Sequence, residues 1–307
     1  MEARKLHTLE LAAAKLRNLA MDQVYTAASG HIGGSLSVAD ILTVLYFDVM
    51  KVNSKDPKAP DRDRLVLSKG HTTPALYAAL ALKGYFPKEE LKLFRSVDGH
   101  MSGHPDMVNV PGVDMSTGSL GQGISAAVGM ALAGKIDGKD YRVYAILGDG
   151  EIEEGQVWEA AMSAAKYHLD NLTAVVDVNG LQIDGSTADV MPSEPLDKKF
   201  EAFNWNVIRV DGHDLAALEE AFAQAAVCKD KPTVLLAKTV KGKGVSFMEN
   251  DAGWHGKAPN DEQYAIAHAE LEERVRVCTD VVVVESMKSA EEALKELGLD
   301  RDEGEEN

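Results

Sequence analysis

The segment from position 141 to 185 decides the fold: YRVYAILGDGEIEEG (Tyr141–Gly155), a helical run, then LTAVVDVNGLQIDG (Leu172–Gly185). Arg142 to Leu147 is an apolar run that stops at Gly148-Asp149-Gly150, as a buried parallel strand does when it reaches its C-terminal edge. A helix follows from about Gln156 to His168, with Val157, Trp158, Ala161, Ala164 and Ala165 on one side. A second apolar strand, Leu172 to Val178, delivers Asn179 to the same edge. Ligands of open α/β sheets bind along that edge. Asp149 and Asn179 therefore point oxygens at one small volume from two strand ends of one βαβ unit.

Oxygen donors in that placement suit a hard cation. Mg²⁺ takes an octahedron of oxygens, commonly one or two carboxylates plus substrate phosphates. One Asp, one Asn amide oxygen and a main-chain carbonyl beyond Asn179 leave positions for a diphosphate and a water. Gly148 and Gly150 let the main chain approach phosphate oxygens. Gly-Asp-Gly alone also fits an ordinary turn after a strand, and the Asn at the next strand end is what makes the pair specific.

Working outward, strands and helices alternate along the chain, which predicts an α/β fold around a mainly parallel sheet with helices on both faces. Ala3 to Ala28 reads as one long helix, and His31-Ile32-Gly33-Gly34-Ser35 as a Gly-rich loop before a helix near Ser37 to Phe47. Arg64 to Leu67 is a short strand ending in Ser68-Lys69-Gly70-His71, and Pro74 opens a helix to about Lys83. Leu91 to Pro105 is an irregular loop with His100 and His104. Asp114 to Gly123 is a second Gly-rich loop, followed by a helix from Ile124 to Ile136. Gly185 to Pro195 reads as a loop. Strands follow at Asn206–Val210 and Thr233–Thr239, with a helix at Leu215–Cys228 between them. Lys241-Gly242-Lys243-Gly244 breaks the last strand and reads equally as a phosphate contact or a solvated turn. Asp261 to Val277 is helical, Val281–Val284 is apolar, and Ser289 to Leu297 is a short helix. Residues 1–277 form the main domain on this reading. Residues 278–307 form an extension ending in an acidic, mobile tail from Asp300 onward.

With 307 residues and a net charge of −17, the chain has enough material for a sizeable core and the wrong sign for a phosphodiester backbone. Nucleic acid is therefore excluded as a partner. No run reaches the roughly 18 apolar residues of a membrane span, and the N-terminus has no apolar leader. Cys228 and Cys278 have no metal-ligand spacing and read as reduced thiols of a cytoplasmic protein.

His31, His71, His104 and His255 all fall in Gly-containing loops, several of them just after strands. Histidine there suits proton transfer near neutral pH and hydrogen bonding to sugar hydroxyls or phosphate. A zinc site at His100 and His104 is disfavoured, since the two lie on a Gly- and Pro-containing loop and no Cys pair completes the set.

Gly148-Asp149-Gly150 followed by Asn179 resembles the motif of thiamine diphosphate enzymes. The surrounding segments resemble transketolase in particular: SGHIGGS (Ser29–Ser35), SKGH (Ser68–His71), SGHP (Ser102–Pro105), STGSLGQG (Ser116–Gly123), GDGEIEEG (Gly148–Gly155), NGLQIDG (Asn179–Gly185) and WHG (Trp254–Gly256). The likeness runs in colinear order from Ala3 to about Leu271. It implies the thiamine-diphosphate-binding (PP domain) fold, thiamine diphosphate as cofactor and Mg²⁺ or Ca²⁺ as metal. Metal ligands are then Asp149, Asn179 and the carbonyl of Leu181. His71, Gly148, Gly150 and His255 hold the diphosphate, and Gly118, Leu120 and Ile183 line the cofactor's rings. His31, His71, His104 and His255 surround the donor sugar. Glu154 matches a glutamate that couples two cofactors across a dimer interface, although Glu151, Glu153 and Glu154 all fit helix N-terminal acids as well.

Nothing in the sequence matches the pyrimidine-binding domain of a full transketolase, which also supplies residues for the substrate's phosphate end. The resemblance thus implies the N-terminal subunit of a split transketolase. A C-terminal subunit would complete it as an α2β2 heterotetramer acting on sugar phosphates of the pentose phosphate pathway. Open alternatives are a subunit similar to deoxyxylulose-phosphate synthase or another ketol transferase, and a non-catalytic thiamine-diphosphate-binding module. A nucleotide-binding α/β protein is opposed by the absence of a G-x-G-x-x-G turn and of a P-loop GK[ST].

Overall fold

The computed structural model describes residues 1–296, with side chains through residue 289. Its strands are β1 (Arg64–Leu67), β2 (Val143–Gly148), β3 (Leu172–Val178), β4 (Leu181–Gln182), β5 (Gly185–Ser186), β6 (Asn206–Asp211) and β7 (Thr233–Lys238). Five of them form one sheet in the order β1-β2-β3-β7-β6, parallel at every pairing. The remaining two, β4 and β5, form a small antiparallel hairpin. The helices are α1 (Ala3–Thr26), α2 (Ile32–Ser37), α3 (Ala39–Val44), α4 (Thr73–Lys83), α5 (Gln122–Ile136), α6 (Gly155–Lys166), α7 (Thr187–Val190), α8 (Leu196–Ala202), α9 (Leu215–Val227) and α10 (Asp261–Glu296).

Successive side chains of a strand point to opposite faces, and the central strands feed two separate cores in this way. Leu65, Leu67, Tyr144, Ile146, Val175 and Leu235 join residues of α1, α3, α4 and α9 in one core. Val66, Val143, Ala145, Leu147, Ala174, Val176 and Leu236 join α5, α6 and α8 in the other. Burial on both faces explains why these strands read as continuous apolar runs rather than alternating ones. Val143, Ala145, Ile146, Val175 and Val176 are wholly buried.

The order of strands positions the site. From β2 to β3 the chain crosses by α6 on one face, and from β6 to β7 it returns by α9 on the other. The direction of winding reverses between β3 and β7, so a crevice opens there at the C-terminal edge. Gly148 pairs with Asp177, and Asp177 with Ala237, which brings three strand ends level.

Local differences from the sequence reading have identifiable causes. Ile32–Ser37 is helical despite its two glycines, because packing overrides their low helix propensity. Gly33 lies so close to the Trp254 carbonyl that an added Cβ would come within 2.8 Å of it. The segment read as a loop from Gly185 contains β5 and α7, and α8 went unread. Val281–Val284 and residues 289–296 of the expected short helix are part of α10, which runs unbroken through residue 277, and Leu297 lies outside the described residues. Valine lowers helix propensity only slightly, and α10 is tied antiparallel along α1. Tyr264 donates to Asp22 at 2.8 Å, Arg274 lies 3.6 Å from Glu10, and His7 lies 2.8 Å from Glu285. The expected acidic tail lies outside the described residues.

Candidate active site

The loops after β2 and β3 bring the expected oxygen donors together. Asp149 is buried, at 3 % exposure. Its Oδ1 accepts from the Gly150 amide at 3.0 Å and its Oδ2 from the Gly180 amide at 2.5 Å. The Asn179 side chain is oriented from behind: its Nδ2 donates to Asp177 Oδ2 at 3.1 Å, while its Oδ1 accepts from the Leu181 amide at 3.0 Å. The Leu181 carbonyl, at the start of the β4–β5 hairpin, accepts from Lys241 Nζ at 3.3 Å. Gly150 lies beside Gln182 of the same hairpin, and Ile183 at its tip is 65 % exposed.

Asp177 is the hub behind these donors. Fully buried, it pairs with Lys69 and accepts from Ser37 Oγ at 2.6 Å and from Thr239 Oγ1. One carboxylate therefore links α2, the loop after β1, the end of β7 and the Asn179 amide. Burial opposes its ionisation, but Lys69 and the hydroxyl donors hold its pKa below the usual carboxylate value. Asp149 behaves oppositely. Burial, and then the Asp177 charge, push it up to about 6. Glu151, also buried, accepts from Ser68 Oγ at 2.5 Å, Gly121 N at 2.9 Å and Gly148 N at 3.0 Å. It ties together the loops after β1 and β2 and the Gly-rich loop before α5.

The four loop histidines meet across the crevice. Ring centroids are 5.2 Å apart for His31 and His71, 5.0 Å for His71 and His255, 5.4 Å for His31 and His255, and 6.5 Å for His31 and His104. Gly118 lies against the His104 ring, where a Cβ would sit 3.3 Å from Cδ2. Lys241 joins the two sides of the crevice, since its Nζ also contacts His255 Nδ1 at 3.0 Å. An ammonium can only donate, so His255 carries its proton on Nε2. Nδ1 of His31 is buried with no partner.

All four imidazoles are held neutral. Burial leads, and neighbouring cations add to it: His31 falls to about 4, with Arg95 the next cause, and His255 to about 3, with Lys241 next. His71 is pushed well below its ordinary value by burial and Lys69, and His104 is lowered by burial and Arg95. Lys241 itself falls to about 8 through burial and the nearby Lys69. Neutral imidazoles both donate and accept, which suits a polyhydroxylated ligand.

Glu154 stands exposed at the N-cap of α6, against Gly121. Leu120 is half-buried in the loop that ends at Gly121. Glu151 is a buried bracket rather than a helix-dipole acid. Lys241 is only 2 % exposed, which corrects the solvated-turn reading, whereas Lys243 is partly exposed and lies 3.5 Å from Glu249. The buried roles of Asp177, Lys69 and Glu151 escaped the sequence reading, which took Glu151 for a helix N-terminal acid. The signal for Asp177 was available as a single acid inside the apolar strand LTAVVDV.

Comparison with known proteins identifies the family. The family model "Transketolase, thiamine diphosphate binding domain" matches residues 9–293. The 6-deoxy-6-sulfo-D-fructose transketolase subunit SqwG of Clostridium sp. (strain MSTE9) is 49 % identical over 257 residues, covering 84 % of this chain and 94 % of that one. An apulose-4-phosphate transketolase subunit of Phocaeicola vulgatus is 44 % identical over 271 residues, covering 88 % and 96 %. The crystal structure of transketolase from Campylobacter jejuni superposes with a TM-score of 0.80 at 33 % identity, covering 97 % of this chain and 50 % of that one. The chain thus spans about half the length of the solved transketolases it matches and nearly all of the separate subunits. It belongs to the transketolase family of transferases, as the N-terminal, thiamine-diphosphate-binding subunit of a split enzyme.

Proposed function

We propose that this chain supplies the diphosphate-and-metal half of the cofactor site and that a C-terminal subunit, in an α2β2 assembly, completes it for ketol transfer between sugars carrying a phosphate or related anionic group. When bound, thiamine diphosphate supplies the carbon nucleophile that takes a two-carbon ketol unit from a ketose and gives it to an aldose. The observation that carries this reading is the meeting of four neutral histidines with the Asp149–Asn179 oxygen donors in one crevice.

Asp149, the Asn179 amide oxygen and the Leu181 carbonyl would hold Mg²⁺ or Ca²⁺. The donor set is hard oxygen throughout, and a dication would stabilise the buried carboxylate that burial now disfavours. Gly148, Gly150, His71, His255 and Lys241 would hold the diphosphate, and Gly118, Leu120 and Ile183 would line the rings. His31, His71, His104 and His255 orient the donor sugar by its hydroxyls and move protons at its oxygens. Glu154 would couple two cofactors across a dimer interface, a reading its exposure at the start of α6 supports. Cys228 and Cys278 are free thiols, in keeping with the cytoplasm, and no described helix is long and apolar enough to cross a membrane.

The test is reconstitution. The purified chain alone should show little ketol transfer, and co-expression with its C-terminal partner should restore turnover that a chelator removes and Mg²⁺ returns. Full turnover from the lone chain would overturn the two-subunit reading.

A further inference from the structure

A cavity of about 650 Å³ opens beside His104, at the outer end of the histidine cluster. Arg95 forms one wall, and its side chain is held in place from several directions. Its backbone is left-handed, with φ of 56°, and its amide donates to the Met101 carbonyl at 2.8 Å. Nη1 donates to Ser29 Oγ at 2.8 Å. The guanidinium lies flat against Gly103, where a Cβ would come within 2.4 Å of Nε, so no other residue fits at 103 with Arg95 in this position.

The Arg95 side chain nevertheless lacks an anion. Nε is buried without a hydrogen-bond partner, and among the described residues no carboxylate forms an ion pair with it. Asp106 is the one acid lining the cavity, and Glu90 reaches its edge only through the lining His100. Asp106 is occupied by Asn109 and the Val108 amide, and Glu90 pairs with His100 at 3.0 Å. Arg95 as a whole is half-buried in the cavity wall, where an arriving oxyanion can reach its guanidinium, and a buried donor left unmet beside it is costly. The histidine cluster opens outward at one end: His31, His71 and His255 are half-buried, whereas His104 is exposed, and Arg95 stands near enough for its charge to lower both His104 and His31. A sugar whose reacting carbons lie by His71 and His255 extends its far end towards Arg95.

We infer that Arg95 is a specificity-determining residue that receives the terminal oxyanion, phosphate or sulfonate, of the sugar substrate from this chain's side of the cleft. This rests on the ketol-transfer reading above. It adds a contact to those the second chain provides for the same end. A planar guanidinium matches a tetrahedral oxyanion with paired hydrogen bonds, which a lysine ammonium does not reproduce.

The experiment uses the reconstituted two-chain enzyme with Arg95→Met and Arg95→Lys. Donors are fructose 6-phosphate, 6-deoxy-6-sulfofructose and the uncharged ketose L-erythrulose. Loss of a charge-assisted contact should lower kcat/KM for an anionic donor about ten- to hundredfold, mainly through KM. The loss on L-erythrulose should be several-fold smaller, and Arg95→Lys should fall between wild type and Arg95→Met. Which anionic donor suffers more identifies the oxyanion. Equal losses on charged and uncharged donors would overturn the inference, as would failure of Arg95→Lys, while folded, to assemble with the second chain, since the guanidinium would then be pairing with that chain. Wild-type enzyme inactive on all three donors would instead count against the ketol-transfer reading itself.

Discussion

The two sides of the crevice solve opposite problems. On the oxygen side nearly every polar atom is spoken for: Asp177 has Ser37, Lys69, Thr239 and Asn179, and Glu151 has Ser68, Gly121 and Gly148. On the imidazole side His31 Nδ1 and Arg95 Nε have no partner, and all four rings are held neutral. One side is a finished scaffold with a single discontented group, Asp149. The other is a set of donors and acceptors waiting for hydroxyls. The difference teaches that rigidity here is built by buried charge and readiness by its avoidance.

Breaking the contrast at Asp149 should have the largest effect. Asp149→Asn should reduce ketol transfer by the reconstituted enzyme at least about 10³-fold, as removal of a central electrostatic group does. It should also stabilise the metal-free chain. The folded-state pKa of about 6 lies above the ordinary 3.8, so ionisation costs stability above pH 6, and the cost fades as pH falls from 6 towards 4. Denaturant melts should therefore show a gain of up to about 3 kcal/mol at pH 7.5 that disappears near pH 4.

On the scaffold side, Lys69→Met leaves Asp177 buried without its cation and should cost about 3–5 kcal/mol. Replacing both, as Lys69→Met with Asp177→Leu, should recover part of that loss, a double-mutant cycle read by urea unfolding. Full additivity would show that the pair is not coupled.

The smallest effect sharpens the imidazole side. His31 is lowered from 6.5 to about 4, so the unfolded chain takes up its proton first. The stability tied to the neutral ring is complete above pH 6.5 and is lost as pH falls through that window to about 4. His31→Ala should flatten the fall in stability between those limits by about 2–3 kcal/mol in all. Its turnover should nevertheless drop more than its cofactor binding does, as measured by calorimetry in the two-chain enzyme.

Much of this was legible in sequence because sheet edges announce themselves. An apolar run stopped by Gly148-Asp149-Gly150, a second ending at Asn179, and four histidines in Gly-containing loops placed both the sheet and the crevice's contents. Asp177, Lys69 and Glu151 were missed because their role depends on what lies across space, and a lysine or glutamate near a loop reads as solvated by default. Lys241 was ambiguous for the same reason. α10 was divided because a cluster of valines resembles a strand locally, and only its pairing with α1 shows otherwise. α2 was hidden by glycines that serve close packing against Trp254 and Lys241.

The reversal of winding between β3 and β7 has a consequence for biosynthesis. Asp177 lies on β3, but its hydroxyl donor Thr239 and the bridging Lys241 follow β7, and His255 comes later still. On the ribosome the crevice has no second wall until that late segment has emerged and docked, so an elongating chain with Asp149 and Asn179 already exposed has no formed pocket in which to capture the cofactor.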